Sequence, residues 1–316
     1  MKKFIHYIKL CLCFSVIFSL LSCNNNNSIK IATGGTSGTY YGFSNVIAQT
    51  LNAALKDKLN LLVVSTGASK ANIQLVDQGE CAMAIVQNDV MYYAYNAKDM
   101  FEGNNPITSF SAIASCYPEA IQIISNKNIN SIEDLRGKKV SVGDAGSGTE
   151  FNAKQILGVY GIDIDKDIKK NNQSFADSAD SIKNGTIDAA FVVAGHPTVA
   201  ITELATSTDF NILSIDDSHI RQLQNQYEFY TALTIPKDTY SVLDNDVKTV
   251  AVMATFIANN NLPEETVYEF TKGLYEQKDN FEHSKASLLD PNTGLSGISI
   301  PLHKGAEKYY SELGLK

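Results

Sequence analysis

The chain of 316 residues contains only two arginines, Arg136 and Arg221. A forked guanidinium is the commonest single device for gripping a carboxylate, so this shortage argues against an arginine clamp. Arg136 stands in a turn motif before a strand, and Arg221 in a polar helical stretch of no distinctive pattern. The signatures of several enzyme classes are missing as well. There is no His-Glu-x-x-His, no Gly-x-Ser-x-Gly and no Cys/His set at zinc spacing. Asp163-x-Asp165-x-Asp167 begins like a calcium loop, but Ile168 and Ser174 stand where Gly and Glu are required, so a solvated turn is expected. No catalytic residue, cofactor or metal is therefore expected. No repeat with a period of about 20–50 residues is visible.

Cysteine is scarce and concentrated at the start. Of five, Cys11, Cys13 and Cys23 lie within the first 23 residues. That segment carries Lys2, Lys3 and Lys9 ahead of the apolar run Leu10–Leu21, which is short for a membrane span. It ends in Leu20-Leu21-Ser22-Cys23, which resembles a bacterial lipobox. Residues 1–22 thus read as a lipoprotein signal peptide, Cys23 as the lipidated residue, and 23–28, with its asparagine run, as a tether. The folded part is expected outside the cytoplasm, attached to a membrane through its lipid. Without the three lysines, 23 basic residues face 34 acidic ones, a net charge of −11. Nucleic acid is not expected as a partner, since neutralising phosphates needs a basic face. Cys81 and Cys116 remain, either as a disulfide or as two buried thiols.

Two clusters of glycine and hydroxyl residues stand out: Gly34-Gly35-Thr36-Ser37-Gly38-Thr39-Tyr40-Tyr41 and Gly143-Asp144-Ala145-Gly146-Ser147-Gly148-Thr149. Each follows a strand-like run and opens a segment of helical period. Such a junction lets backbone N–H groups converge on a guest, and a helix N-terminus favours negative charge. Neither cluster has the Lys-Ser/Thr ending of a nucleotide-binding loop.

Strand-like runs at 29–32, 61–65, 82–86, 120–124, 140–142, 187–193 and 232–235 alternate with helical patterns. Phe43, Val46, Ile47, Leu51 and Ala54 make one helical face, and Val267, Phe270 and Leu274 another. Ser131 before Ile132-Glu133-Asp134 reads as a helix N-cap. The alternation predicts an α/β fold with mostly parallel sheets. The length suits two lobes, joined by crossings at 111–124 and 227–235. Lobe 1 is then 29–116 plus 228–316, and lobe 2 is 117–227.

These motifs, in order, resemble the TAXI-type solute-binding proteins, the extracytoplasmic receptors of a class of tripartite ATP-independent (TRAP) transporters. The resemblance runs from about Ile31 to Tyr310. It rests on Ala32–Gly35 with Gly38–Tyr41, Ala84–Val90, Tyr117-Pro118-Glu119, Asp134–Val140, Val142-Gly143 with Gly146–Thr149, Asn184–Ala189, Gly195-His196-Pro197, Phe229-Tyr230 with Ile235-Pro236, and Ile300–Ala306. It departs at Ala68, where a second Gly is expected, and at Gly42-Phe43, in place of a Pro-hydrophobic pair. It implies a type II periplasmic-binding-protein fold whose lobes close on a small carboxylated solute, such as a glutamate-like amino acid, a dicarboxylate or a 2-oxoacid. It further implies delivery to TRAP membrane subunits driven by an ion gradient. A monomer is expected. An ABC-transporter receptor, an exported enzyme on the same fold and a surface adhesin are the alternatives.

The expected ligand residues are Gly38, Thr39 and Tyr40 in one lobe and Ser147, Gly148 and Thr149 in the other. Their backbone N–H groups and hydroxyls would take the place of an arginine, at roughly 1.5–3 kcal/mol per charge-assisted bond. Ser147 with Glu150 equally fits a capping box. Of Tyr40 and Tyr41, one should line the cleft and the other pack inward. Gln87 falls at a strand's C-terminal end, where open sheets place ligands. Tyr117 suits a hinge or cleft wall. Gly195 and His196 lie at another strand end, with His196 either structural or a ligand contact.

Overall fold

The computed structural model describes residues 28–316. The signal peptide at 1–22, the lipidation at Cys23 and nearly all of the tether lie outside the described residues. In chain order the first part contains β1 (Ile29–Ala32), α1 (Thr39–Ala54), β2 (Leu61–Val64), α2 (Ser69–Asp77), β3 (Met83–Gln87), α3 (Asn88–Asn96) and β4 (Phe110–Ser125). The middle contains β5 (Lys139–Ser141), α4 (Gly148–Val159), β6 (Lys169–Asn171), α5 (Phe175–Lys183), β7 (Ala189–Ala194), α6 (Val199–Ala205) and β8 (Asn211–Ile212). The last part contains α7 (Asp217–Gln226), β9 (Thr231–Ile235), β10 (Val247–Asn259), α8 (Glu264–Glu276) and α9 (Lys304–Glu312). No helix of the described residues is long and apolar enough to cross a membrane.

The strands are ordered β2-β1-β3-β10-β4-β7-β5-β6, with β8 on β4 and β9 on β10. Each end of this order is parallel: β2-β1-β3 in the first lobe and β7-β5-β6 in the second. Every residue of β3 and β7 is buried, as expected for strands covered on both faces by helices. The centre corrects the expectation of mostly parallel sheets. There β4 and β10 run antiparallel to each other and to their flanking neighbours.

This two-stranded ribbon carries the chain between lobes. β4 covers the first expected crossing, with Tyr117-Pro118-Glu119 inside it rather than interrupting it. A proline is tolerated because the ladder changes partners there: β7 begins only at Ala120, and a bulge falls next to Cys116. On β10, β9 pairs as far as Ala251 and β3 takes over at Ala254. Met253 lies in that gap, and its N–H donates to Asn88 Oδ1 at 2.9 Å.

The second crossing is therefore β10 and not 227–235. Within that stretch only β9 is a strand, and its Ile235 packs with Ala120, Val192 and Val247 in the second lobe's core. The short apolar runs within 247–259, broken by Lys248, Thr249 and Thr255, do not by themselves distinguish helix from strand. We accordingly place the second lobe boundary at Val252–Met253 rather than at 227/228.

Helix α1 buries Phe43, Ile47 and Leu51 completely, and α8 buries Val267, Phe270 and Leu274 against the same core. Ala54, at the frayed end of α1, is exposed. Ser131 caps no α-helix. A single turn of 3₁₀ helix forms at Glu133–Leu135, and Asp134 bends back to accept from the Asn130 and Ser131 N–H groups. Cys81 and Cys116 are free, buried thiols.

Candidate functional site

The two glycine clusters meet. Helix α1 starts after Gly38 and α4 after Ser147, and both starts line one cavity of about 40 Å³. Of the ten expected ligand residues, Gly38, Thr39, Tyr40, Gln87, Ser147, Gly148 and Thr149 line the cavity. Tyr117, Gly195 and His196 do not. Tyr117 is fully buried behind the wall, edge-on to Phe43 at 5.2 Å between ring centroids. Gly195 is a place of close approach: a Cβ there would lie 2.8 Å from Lys285 Cε and 3.1 Å from Thr39 Cγ2. His196 stands beyond it, its Nδ1 buried without a partner among the described residues. Burial, helped by Lys285, holds its imidazole neutral, down to about 4.

Most hydroxyls at the tips are already engaged, which leaves recognition chiefly to main-chain N–H groups. Thr39 Oγ1 donates to Gly195 O at 2.9 Å, a bond from one lobe to the other. Ser147 Oγ accepts from Glu150 N at 3.2 Å, and Glu150 Oε2 accepts from Gly146 N at 2.6 Å. This is a capping box shifted by one residue, so Glu150 is turned onto the loop's own N–H. Tyr40 lines the cavity and is itself buried, while Tyr41 is half-buried at the surface, which corrects the expectation that one of the pair lines the cleft and the other packs inward. Gly143 has φ +88, and a Cβ there would strike Thr149 Cβ at 2.7 Å, so only glycine permits this turn.

Gln87 ends β3 and spans the cleft. Its Nε2 donates to Asn152 Oδ1 at 3.0 Å, while its Oε1 is buried with no partner among the described residues. Asn152, on α4, also donates to Asp89 Oδ2 at 3.0 Å and to the Tyr230 hydroxyl at 2.9 Å. Tyr230 in turn donates to Gln155 Oε1 at 2.7 Å. This buried network joins α3 of the first lobe to α4 of the second. Burial pushes the Asp89 carboxyl up to about 6, against the Asn152 and Val90 hydrogen bonds that lower it.

The ionisable carboxyls of the cavity are held toward their neutral form by burial. Glu119 and Asp144 line it, and no lysine or arginine does. Glu119, 2% exposed, accepts from the Tyr40 hydroxyl at 2.6 Å through Oε2. Burial raises its carboxyl well above the ordinary range; the Tyr40 bond opposes this and Asp89 adds to it. Burial and Asp177 raise Asp144 too. Arg136 is spent at the surface on Asp167 and Gly161 O, and Arg221 is exposed on α7. Among the described residues no group of three or more His, Cys, Asp or Glu side chains could hold a metal. Glu119, Asp144 and Asn152 were missed as site residues. Glu119 sat in plain view within Tyr117-Pro118-Glu119, and its placement in the crossing strand was the available signal.

The architecture is that of a two-lobed α/β periplasmic-binding protein, with a cavity where the lobes meet. Many solved structures share its fold, among them the following three. The alkanesulfonate-binding protein SsuA of Xanthomonas axonopodis pv. citri, bound to MOPS, matches at 13% identity and a TM-score of 0.52, covering 90% of this chain and 83% of that one. PhnD1 of Prochlorococcus marinus, in complex with methylphosphonate, matches at 12% identity and 0.52, covering 92% and 100%. A structure from work on glutathione import via GshT and the cystine ABC importer TcyBC of Streptococcus mutans matches at 13% and 0.52, covering 88% and 98%. The chain belongs to the NMT1-like family, whose profile matches residues 31–314.

Proposed function

We propose that this chain is an extracytoplasmic solute-binding receptor that captures a small carboxylated solute between its lobes and delivers it to a membrane transporter. The observation that carries this reading is the convergence of two helix starts, one from each lobe, on a single cavity without arginine or lysine. The N–H groups at those starts offer a carboxylate the partial positive charge that side chains do not supply. The lipobox at Leu20–Cys23 supports a membrane-tethered location, and the motif series running from Ala32 to Ala306 supports a TRAP-type transporter as recipient. An ABC transporter is the second reading, favoured by the fold shared with the structure from the Streptococcus mutans study. The protein acts as a binder and not as an enzyme on this proposal, without cofactor, metal or nucleic acid, and as a monomer.

A thermal-shift screen of amino acids, dicarboxylates and 2-oxoacids tests it. A ligand at a hundred times its Kd stabilises the native state by about 2.7 kcal/mol. For a chain of this size that raises Tm by about 5 °C, at roughly 2 °C per kcal/mol. Thr39→Trp and Ser147→Trp should each abolish the shift while leaving the solute-free Tm within a few degrees. Unchanged affinity in both variants would mean the solute binds elsewhere.

A further inference from the structure

Lys285 stands in the irregular segment between α8 and α9, whose Phe281, Ala286 and Leu289 are anchored in the first lobe's core with Phe43 and Phe270. Its own side chain leaves that lobe. The stem lies against Gly195, where a Cβ would stand 2.8 Å from Lys285 Cε, and Nζ donates to His196 O. Gly195 and His196 both belong to the turn between β7 and α6 in the second lobe. Lys285 is only 6% exposed, so part of what covers it is the other lobe. Parting the lobes would return the ammonium to water. Its surroundings when covered are poor ones for a charge. Among the described residues no carboxylate lies within ion-pair distance of Nζ, and one carbonyl is its hydrogen-bond partner. The rings beside it are His196 and His283, both held neutral by burial with help from the Lys285 charge. Burial lowers Lys285 itself, with no neighbouring charge to oppose the shift.

We infer that Lys285 opposes closure: bringing the lobes together covers its ammonium with the β7–α6 turn and leaves it a single acceptor, so the solute-free protein rests open. An ammonium has three donors, and taking it from water to one carbonyl loses more than the new bond returns. Two bonds beside it act in the other direction, Thr39 Oγ1 to Gly195 O at 2.9 Å and Ala200 N to Ser37 O at 3.4 Å. Lys285 is the counterweight to these. Because it does not line the cavity, it acts on the lobes and not on the guest. The inference goes beyond the receptor reading above, and its test uses no solute, so either can fail without the other. For a receptor the consequence is that an empty molecule does not present the closed form.

Amide hydrogen exchange on the full-length chain in detergent, without solute, reads the lobes at Ala200. This residue is the second of α6, so its N–H has no acceptor in its own helix and bonds only across the boundary, to Ser37 O. Lys285→Met keeps the stem and removes the charge. It should slow exchange at Ala200 about tenfold by enlarging the closed population. The Thr33 N–H, bonded to Val64 O at 3.0 Å within the first lobe, should exchange as before. Lys285→Gln should slow Ala200 as well, since charge and not shape is at issue. Unchanged or faster exchange at Ala200, with Thr33 still protected, would overturn the inference; a faster rate would make Lys285 a clasp. Should both variants fail to fold, the wild-type protein decides through acetylation by acetic anhydride. Lys285 of the solute-free protein should then react within about thirtyfold of the exposed Lys56, and a slower reaction would overturn the inference.

Discussion

Ala68 holds a backbone conformation that its own side chain resists, with φ +66 and ψ −152 at the start of α2. This region belongs almost wholly to glycine and costs other residues roughly 1–3 kcal/mol. The resemblance noted a glycine missing at this very position, and the dihedral angles supply the physical meaning of that departure. Ala68 lines the cavity and packs near Gly34, so the strain is kept where the two clusters must come close. Ala68→Gly should therefore stabilise the solute-free protein, by about 1 kcal/mol once the glycine's extra chain entropy is offset. Urea denaturation reads this directly; a loss of stability would show that the alanine methyl contributes more packing than its backbone costs.

At the scale of elements, the bridge between α3 and α4 couples the lobes to pH. Asp89 rises from its ordinary 3.8 to about 6 on folding, which corresponds to about 3 kcal/mol. The sign follows from proton counting: between those two values the native state keeps a proton that the unfolded chain has released. Stability therefore falls as pH rises from about 4 to about 6, and the loss is complete above the folded value. His196 works the other way. Held down to about 4, it lets the unfolded chain take up a proton first, so stability falls as pH drops below about 6.5. The wild-type profile mixes both, and the difference between Asp89→Asn and wild type isolates the first. That difference in unfolding free energy should move in the variant's favour by about 3 kcal/mol between pH 4 and pH 7. A constant difference across that range would mean Asp89 is not held neutral by burial.

The same elements show where sequence reading works and where it stops. Strands β1, β2, β3 and β7 were legible because they are short apolar runs followed by turn residues, and α1 and α8 because their buried residues recur at helical spacing. The cavity-facing starts of α1 and α4 were legible because glycine and hydroxyl residues have few other reasons to cluster there. β10 was not, since its pairing partners lie far away in the chain and its apolar runs have no period of their own. Glu119 and Asn152 were hidden for a related reason. Nothing local distinguishes a buried acid or amide from an exposed one until strands from distant parts of the chain enclose it.

For the whole molecule, the lobes come closest where the backbone is bare, and Gly148 is the tightest of these places. A Cβ on Gly148 would stand 1.8 Å from Gln87 Oε1, the side chain that reaches across from the other lobe. Gly148 has no positive φ, so alanine there leaves the second lobe unstrained and acts on the approach of the lobes alone. Gly148→Ala should weaken solute binding about tenfold, equivalent to about 1.4 kcal/mol, with little change in the solute-free Tm. Adding Gln87→Ala should recover part of the loss, because residues in contact do not act additively. Equal losses in the single and double variants would show that the obstacle lies with another neighbour.

The cavity is small for a solute of the proposed class. With the lobes as they stand it measures about 40 Å³. A longer guest must therefore prop the jaws open by its own length. On the proposed receptor reading, the separation of the two lobes would then follow the length of the guest.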